Sequence, residues 1–87
     1  MNDTTSTAIR RVLNDHARLP GDAGTLDDHA DLFQAGMSSH ASVNVMLALE
    51  DTFDVEFPDA MLKRSVFESI AAIEAAILEL RASEAAV

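Results

Sequence analysis

Apolar residues recur at helical spacing in three separate stretches of this chain, a period that points to a helical fold. Ile9, Val12, Leu13 and Ala17 stand at i, i+3, i+4 and i+8, drawing one stripe on a helix from about Thr5 to about Arg18. Between Ser39 and Phe53 there is neither Gly nor Pro. Advancing ~100° per residue gathers Val45, Met46, Leu49 and Phe53 of that stretch into one arc. Ile70, Ile73, Ile77 and Leu80 repeat the pattern over about Ser69 to about Arg81. Thr5 or Ser6 is expected to cap the first helix and Ser69 the last, because a short hydroxyl side chain satisfies the amides at a helix start. Pro20-Gly21 stops the first helix, and Ala82 to Val87 is expected to fray.

Leu19 to Gly36 reads as a long loop, and loops of this length are seldom idle connections. Leu26, Leu32 and Phe33 are its expected anchors to the core. Asp31 is placed to cap a single turn through Leu32, Phe33 and Gln34, and Gly36 marks a sharp turn. Phe57-Pro58-Asp59 opens a short third helix, with Pro58 in a first turn where its missing N–H costs nothing. The expectation is therefore one all-α domain over residues 1–87, ordered from about 5 to about 81. It is a four-helix bundle with a short third helix and a long first loop.

Composition narrows what such a bundle can do. There is no cysteine, so neither a disulfide nor a thiolate metal site can staple the chain. Fifteen Asp and Glu against six Lys and Arg give a net charge of −9. That sign opposes nucleic acid and anionic membranes and favours encounter with basic protein patches. Met1 to Arg10 lacks the apolar run of a signal peptide, and no apolar run approaches the roughly 20 residues a membrane helix needs. A cytoplasmic monomer is the expectation. His16, His29 and His40 show no paired ligand spacing. Asp22, Asp27, Asp28 and Asp31 lack the calcium-loop pattern and read as a solvated loop, so no metal site is expected. Met46 and Met61 read as core fillers.

Two features of the Ser39–Phe53 helix bear on function. Val43 and Leu47 fall to one side of its apolar arc, near His40, Glu50 and Asp51. They either pack under the first loop or the third helix or, if exposed, form an apolar patch fringed by acid that suits a protein partner. Ser39 begins the helix just after the Gly36 turn, where a hydroxyl taken alone reads as an ordinary cap for free amides. Ser38 and Ser42 are neighbouring hydroxyls. A Ser39–His40 catalytic pair is disfavoured because side chains at i and i+1 on a helix point apart, and no nucleophile elbow is present.

The stretch Asp31-Leu32-Phe33-Gln34-Ala35-Gly36-Met37-Ser38-Ser39, followed by a helix ending Ala48-Leu49-Glu50-Asp51-Thr52-Phe53-Asp54-Val55-Glu56-Phe57-Pro58, resembles the acyl carrier protein family. The resemblance covers roughly Asp31 to Leu80 and places the family's modified serine on Ser39. It implies an acyl-carrier-like fold and a covalent 4'-phosphopantetheine arm, installed from coenzyme A by a phosphopantetheinyl transferase. It also implies no catalytic residue of the chain's own. Cargo would ride as a thioester from a loading ligase to a downstream acceptor enzyme. Met37, Ser38, His40, Val43, Asn44, Leu47, Glu50 and Asp51 are the implied partner face. Ser38 stands where the family usually has Asp, His40 where it has Leu, and Ala41 and Asn44 where fatty-acid carriers are often acidic. The stretch Ala41 to Glu50 is similar to bacterial aminoacyl carriers charged with glycine or alanine by ligases resembling aminoacyl-tRNA synthetases. Fatty-acyl, polyketide, peptide-synthetase and D-alanyl carriers share much of the pattern. A non-covalent helical adaptor for a basic partner is the alternative outside the class.

Overall fold

The computed structural model describes residues 3–85, and all regular structure among them is helical. The helices are α1 (Asp3–His16), α2 (Leu32–Ala35), α3 (Ser39–Phe53), α4 (Arg64–Phe67) and α5 (Ile70–Ala85), with single 3-10 turns at Ala23–Thr25 and Asp59–Met61. The expected stripes meet in one core. Ile9, Leu13, Ala17, Val45, Leu49, Ile70, Ile73 and Ile77 are fully buried, and Val12 nearly so. Each large aliphatic side chain removed from water contributes about 1.5–3 kcal/mol, so these rows drive the collapse. Phe57 and Phe67 close one end edge-to-face, with ring centroids 5.4 Å apart. No helix among the described residues is long and apolar enough to cross a membrane.

Several boundaries differ from the sequence reading. The first helix starts at Asp3, so Thr5 and Ser6 lie inside its opening turns instead of capping it. Hydroxyl side chains are tolerated there because first-turn amides lack an intrahelical acceptor in any case. Its helix ends at His16, two residues before Arg18, which adopts a left-handed conformation (φ 57) ahead of Leu19-Pro20. A residue preceding proline is pushed out of helical space, and the chain turns before reaching it. The third helix is interrupted: Pro58 precedes a 3-10 turn, the backbone leaves the helical region at Leu62 and Lys63, and one α-turn follows as α4. The last helix continues past Arg81 to Ala85, where fraying had been expected, and Ala86 and Val87 lie outside the described residues. Ser69 does cap it, its Oγ accepting from the Ala72 amide at 3.1 Å.

The long loop is tied down by polar groups that no periodicity reveals. The Arg10 guanidinium donates from Nη1 to the carbonyls of Ala23 and Leu26, both at 2.7 Å, and from Nη2 to the Asp28 carboxylate. Further along, the Leu32 amide donates to the Glu68 carbonyl at 2.7 Å and the Ala71 amide to the Asp28 carbonyl at 2.9 Å. The second of these satisfies a free amide at the start of α5. Arg10 is 18% exposed in its side chain, so its removal strands two carbonyls in a poorly hydrated setting. Arg10→Met is expected to lose about 1–3 kcal/mol of stability. Faster amide exchange should be confined to the loop and its neighbours, measured by hydrogen exchange.

Asp22 organises the start of the same loop. Its Oδ1 accepts from the Gly24 amide (2.8 Å) and from Asn14 Nδ2 (2.9 Å), while Asn14 Oδ1 accepts from the Ala23 amide (2.7 Å). The Gly24 amide first, and Asn14 second, hold the Asp22 carboxyl below its ordinary value, with slight burial opposing them. A lowered folded pKa means stability that is fully present above the unfolded value of about 3.9. It drains away as pH falls from there toward the folded value. Asp22→Asn should therefore narrow the gap between melting temperatures at pH 7 and about pH 3, read by circular dichroism.

Candidate functional site

Asp31, α2 and Gly36 together set the point where α3 begins. Asp31 Oδ1 accepts from the amides of Phe33 (2.9 Å) and Gln34 (3.2 Å), capping α2 as expected. Leu32 is fully buried, and Leu26 and Phe33 pack against the core, so the three anchors hold. Gly36 then turns the chain at φ 128, and a Cβ there would lie 2.9 Å from Pro20 Cδ. Glycine is required twice over, by backbone conformation and by the close approach of Pro20.

The three hydroxyls around the start of α3 differ in what they do. Ser38 is the cap, its Oγ accepting from the Ala41 amide at 3.0 Å. Ser42 donates its hydroxyl to the Ser39 carbonyl at 2.6 Å. Ser39 is the first helical residue and is exposed, and among the described residues no group hydrogen-bonds its Oγ. The capping role open to Ser39 in the sequence thus belongs to Ser38, and the Ser39 hydroxyl is left uncommitted. No acidic residue lies in the first turn of α3, so its positive end is available to an attached phosphate. An accessible, unengaged hydroxyl at such an end fits a phosphodiester linkage.

A groove of about 440 Å³ opens beside Ser39. Ser39, Ser42, Val43 and Met46 line it from α3, Leu62, Lys63, Arg64 and Phe67 from the segment around α4, and Phe33 from α2. The Arg64 guanidinium lies over the Phe33 ring, 4.0 Å from its centroid. The break at Leu62 and Lys63 is what separates α4 from the preceding turn. The sequence reading did not single out this groove. Its one available signal was the Lys63-Arg64 pair in a strongly acidic chain.

The implied partner face resolves unevenly. Val43 and Leu47 are 51% and 53% exposed, with His40, Asn44 and Asp51 also at the surface. Met37 does not belong to this face. It is 2% exposed, and its amide donates to the Leu32 carbonyl at 3.0 Å, so its side chain plugs the core beneath the turn. Glu50 is half-buried and its Oε2 accepts from the Phe57 amide at 2.8 Å, tying the end of α3 to the segment that follows. On the opposite flank, Asn44, Leu47 and Asp51 border a shallow groove of about 530 Å³ shared with Arg11, Asp15 and His16 of α1. His40 is exposed, and among the described residues its side chain makes no hydrogen bond to Ser39.

An all-helical scaffold that presents one free hydroxyl at a helix start, next to an exposed apolar strip, defines a carrier domain. Known proteins place it further. A family described as "Phosphopantetheine attachment site" matches residues 7–77. An aminoacyl carrier protein of Agrobacterium fabrum is 49% identical over 69 residues, spanning 79% of this chain and 83% of the relative. A carrier protein from Agrobacterium tumefaciens has been crystallised with an engineered Bradyrhizobium japonicum glycine:[carrier protein] ligase and ATP. The match to that structure has a TM-score of 0.82 at 46% identity, covering 85% of this chain and 96% of the other. A second match is to the Bradyrhizobium japonicum ligase complexed with glycylated carrier protein, with a TM-score of 0.72 and 26% identity over 85% of this chain and 99% of the other. This chain belongs to the phosphopantetheine attachment-site family of carrier proteins. It is a homologue of the aminoacyl carrier proteins, and like them it is a non-catalytic scaffold for a prosthetic group.

Proposed function

We propose that this protein carries a small amino acid, glycine foremost, as a thioester on a phosphopantetheine arm attached to Ser39. When bound, the arm supplies a mobile thiol that holds the cargo. The chain's own residues present the attachment point and the docking face. Ser38 fixes the start of α3 through its hydrogen bond to the Ala41 amide, which orients Ser39 outward for a phosphopantetheinyl transferase. Val43 and Leu47 offer apolar contact to a loading ligase, with His40, Asn44 and Asp51 around them. Tethering raises the cargo's effective concentration at each enzyme that docks there, the downstream acceptor included.

The observation that carries this reading is the uncommitted Ser39 hydroxyl between two engaged ones. The choice of glycine is supported by the similar carriers, one crystallised with a glycine:[carrier protein] ligase and one glycylated. The test is sequential loading followed by intact-mass spectrometry. Coenzyme A with a phosphopantetheinyl transferase should add one arm. ATP, glycine and an amino acid:carrier protein ligase should then add one glycyl group, released by hydroxylamine as a thioester requires. Persistence of the bare polypeptide mass in the first step would overturn the carrier assignment. Loading of alanine or a fatty acid in preference to glycine would overturn the cargo.

A further inference from the structure

We propose that Lys63 and Arg64 hold the phosphodiester of the arm, seating its near half in the groove between α3 and α4 when no enzyme is docked. The inference rests on Ser39 being the attachment point and adds where the arm resides between encounters.

Charge is the first support. The chain has only six Lys and Arg against fifteen acids, yet two of the six stand side by side on the groove that Ser39 borders. Among the described residues the one ion pair is Arg10–Asp28, so neither Lys63 nor Arg64 is neutralised by a carboxylate. Packing on the Phe33 ring keeps Arg64 at the groove, which lowers the entropy lost when its guanidinium meets an anion. A cation already held at the groove, as Arg64 is, forms a better anion site than the same charge on a free side chain.

The second support is the kind of chemistry that lines the groove. A phosphopantetheine arm is anionic next to the serine, then carries a gem-dimethyl group, then amides and a terminal thiol. The groove presents Lys63 and Arg64 for the anion and the half-exposed apolar side chains of Val43 and Leu62 for the methyls. Arm and groove thus complement each other in charge and in polarity. A seated arm would shield those apolar surfaces in the free carrier and leave them to a partner when the arm swings out.

The proposal is tested on the full chain labelled with 15N, comparing amide spectra before and after loading with coenzyme A, with completeness checked by intact mass. Shifts are expected at residues 62–67 and at Val43 and Met46, beyond the immediate surroundings of Ser39. Raising ionic strength should shrink the shifts at 62–67, since exposed charge pairs are screened by salt. In the Lys63→Ala/Arg64→Ala variant the seated population should fall by roughly two- to fivefold per contact, the range for exposed ion pairs. Arg64→Lys should keep part of the effect through its charge. A loaded protein whose spectrum differs from the unloaded one only at residues 37–42 would overturn the proposal, as would shifts at 62–67 that ignore salt. If a variant loses its fold, the wild-type salt series still decides. Failure to gain the arm's mass would instead overturn the attachment at Ser39, a distinct outcome of the same experiment.

Discussion

Ser39→Ala is expected to remain at its bare polypeptide mass under conditions that fully load the wild type, while Ser38→Ala takes up the arm. The two serines are neighbours in sequence and near-opposites in structure. Ser38 Oγ accepts from the Ala41 amide at 3.0 Å, so its loss uncaps α3 and is expected to cost about 1 kcal/mol. Ser39 hydrogen-bonds nothing through its Oγ among the described residues, so its loss should leave stability almost unchanged, within about 0.5 kcal/mol as for a surface substitution. Intact mass and urea denaturation on both variants therefore separate attachment from capping. Loading of Ser39→Ala, or a large stability loss in it with none in Ser38→Ala, would reverse the two roles.

The second large effect is expected at Gly36. An alanine there must adopt φ near 128, and its Cβ would press on Pro20 Cδ at 2.9 Å. The backbone conformation alone costs on the order of 1–3 kcal/mol, and the contact with Pro20 adds to it. Pro20→Ala removes the contact without altering the backbone requirement. In a double-mutant cycle, Gly36→Ala should cost less in the Pro20→Ala background yet remain clearly destabilising. Full recovery would show that crowding, and not conformation, requires glycine. Because Gly36 stands two residues before the cap of α3, the variant should also slow loading of Ser39, as the hydroxyl loses its fixed presentation.

Much of this was readable from the letters. The stripes of α1, α3 and α5 are set by side chains that a helix must bury on one face, so Ile9, Leu13, Val45, Leu49, Ile73 and Ile77 reach the core as their spacing requires. Local caps were equally readable at Asp31 and Ser69, where the acceptor lies within three residues of its donors. What escaped depends on distant partners. Arg10 reads as one more surface cation, until the loop brings the Ala23 and Leu26 carbonyls to it. Met37 looks like part of an exposed motif, yet the turn at Gly36 drives it inward. The groove beside Ser39 is assembled from α2, α3 and the segment around α4, and no single stretch of sequence contains it. The proposed attachment at Ser39 followed from the register of a family pattern, whereas the freedom of its hydroxyl from hydrogen bonds among the described residues is visible only in three dimensions.

The tie between Glu50 and the Phe57 amide changes how acidity along α3 should be counted. A carboxylate occupied with its own backbone is a poor handle for a visiting basic protein, so Glu50 acts first as a structural strut. The docking face proposed for this carrier is then closer to a greasy strip with a lone acid, Asp51, than to an anionic rod. Docking strength measured against salt should accordingly follow a shallow line. Redesigning this protein for a different client would call for reshaping Val43 and Leu47 before adding charge.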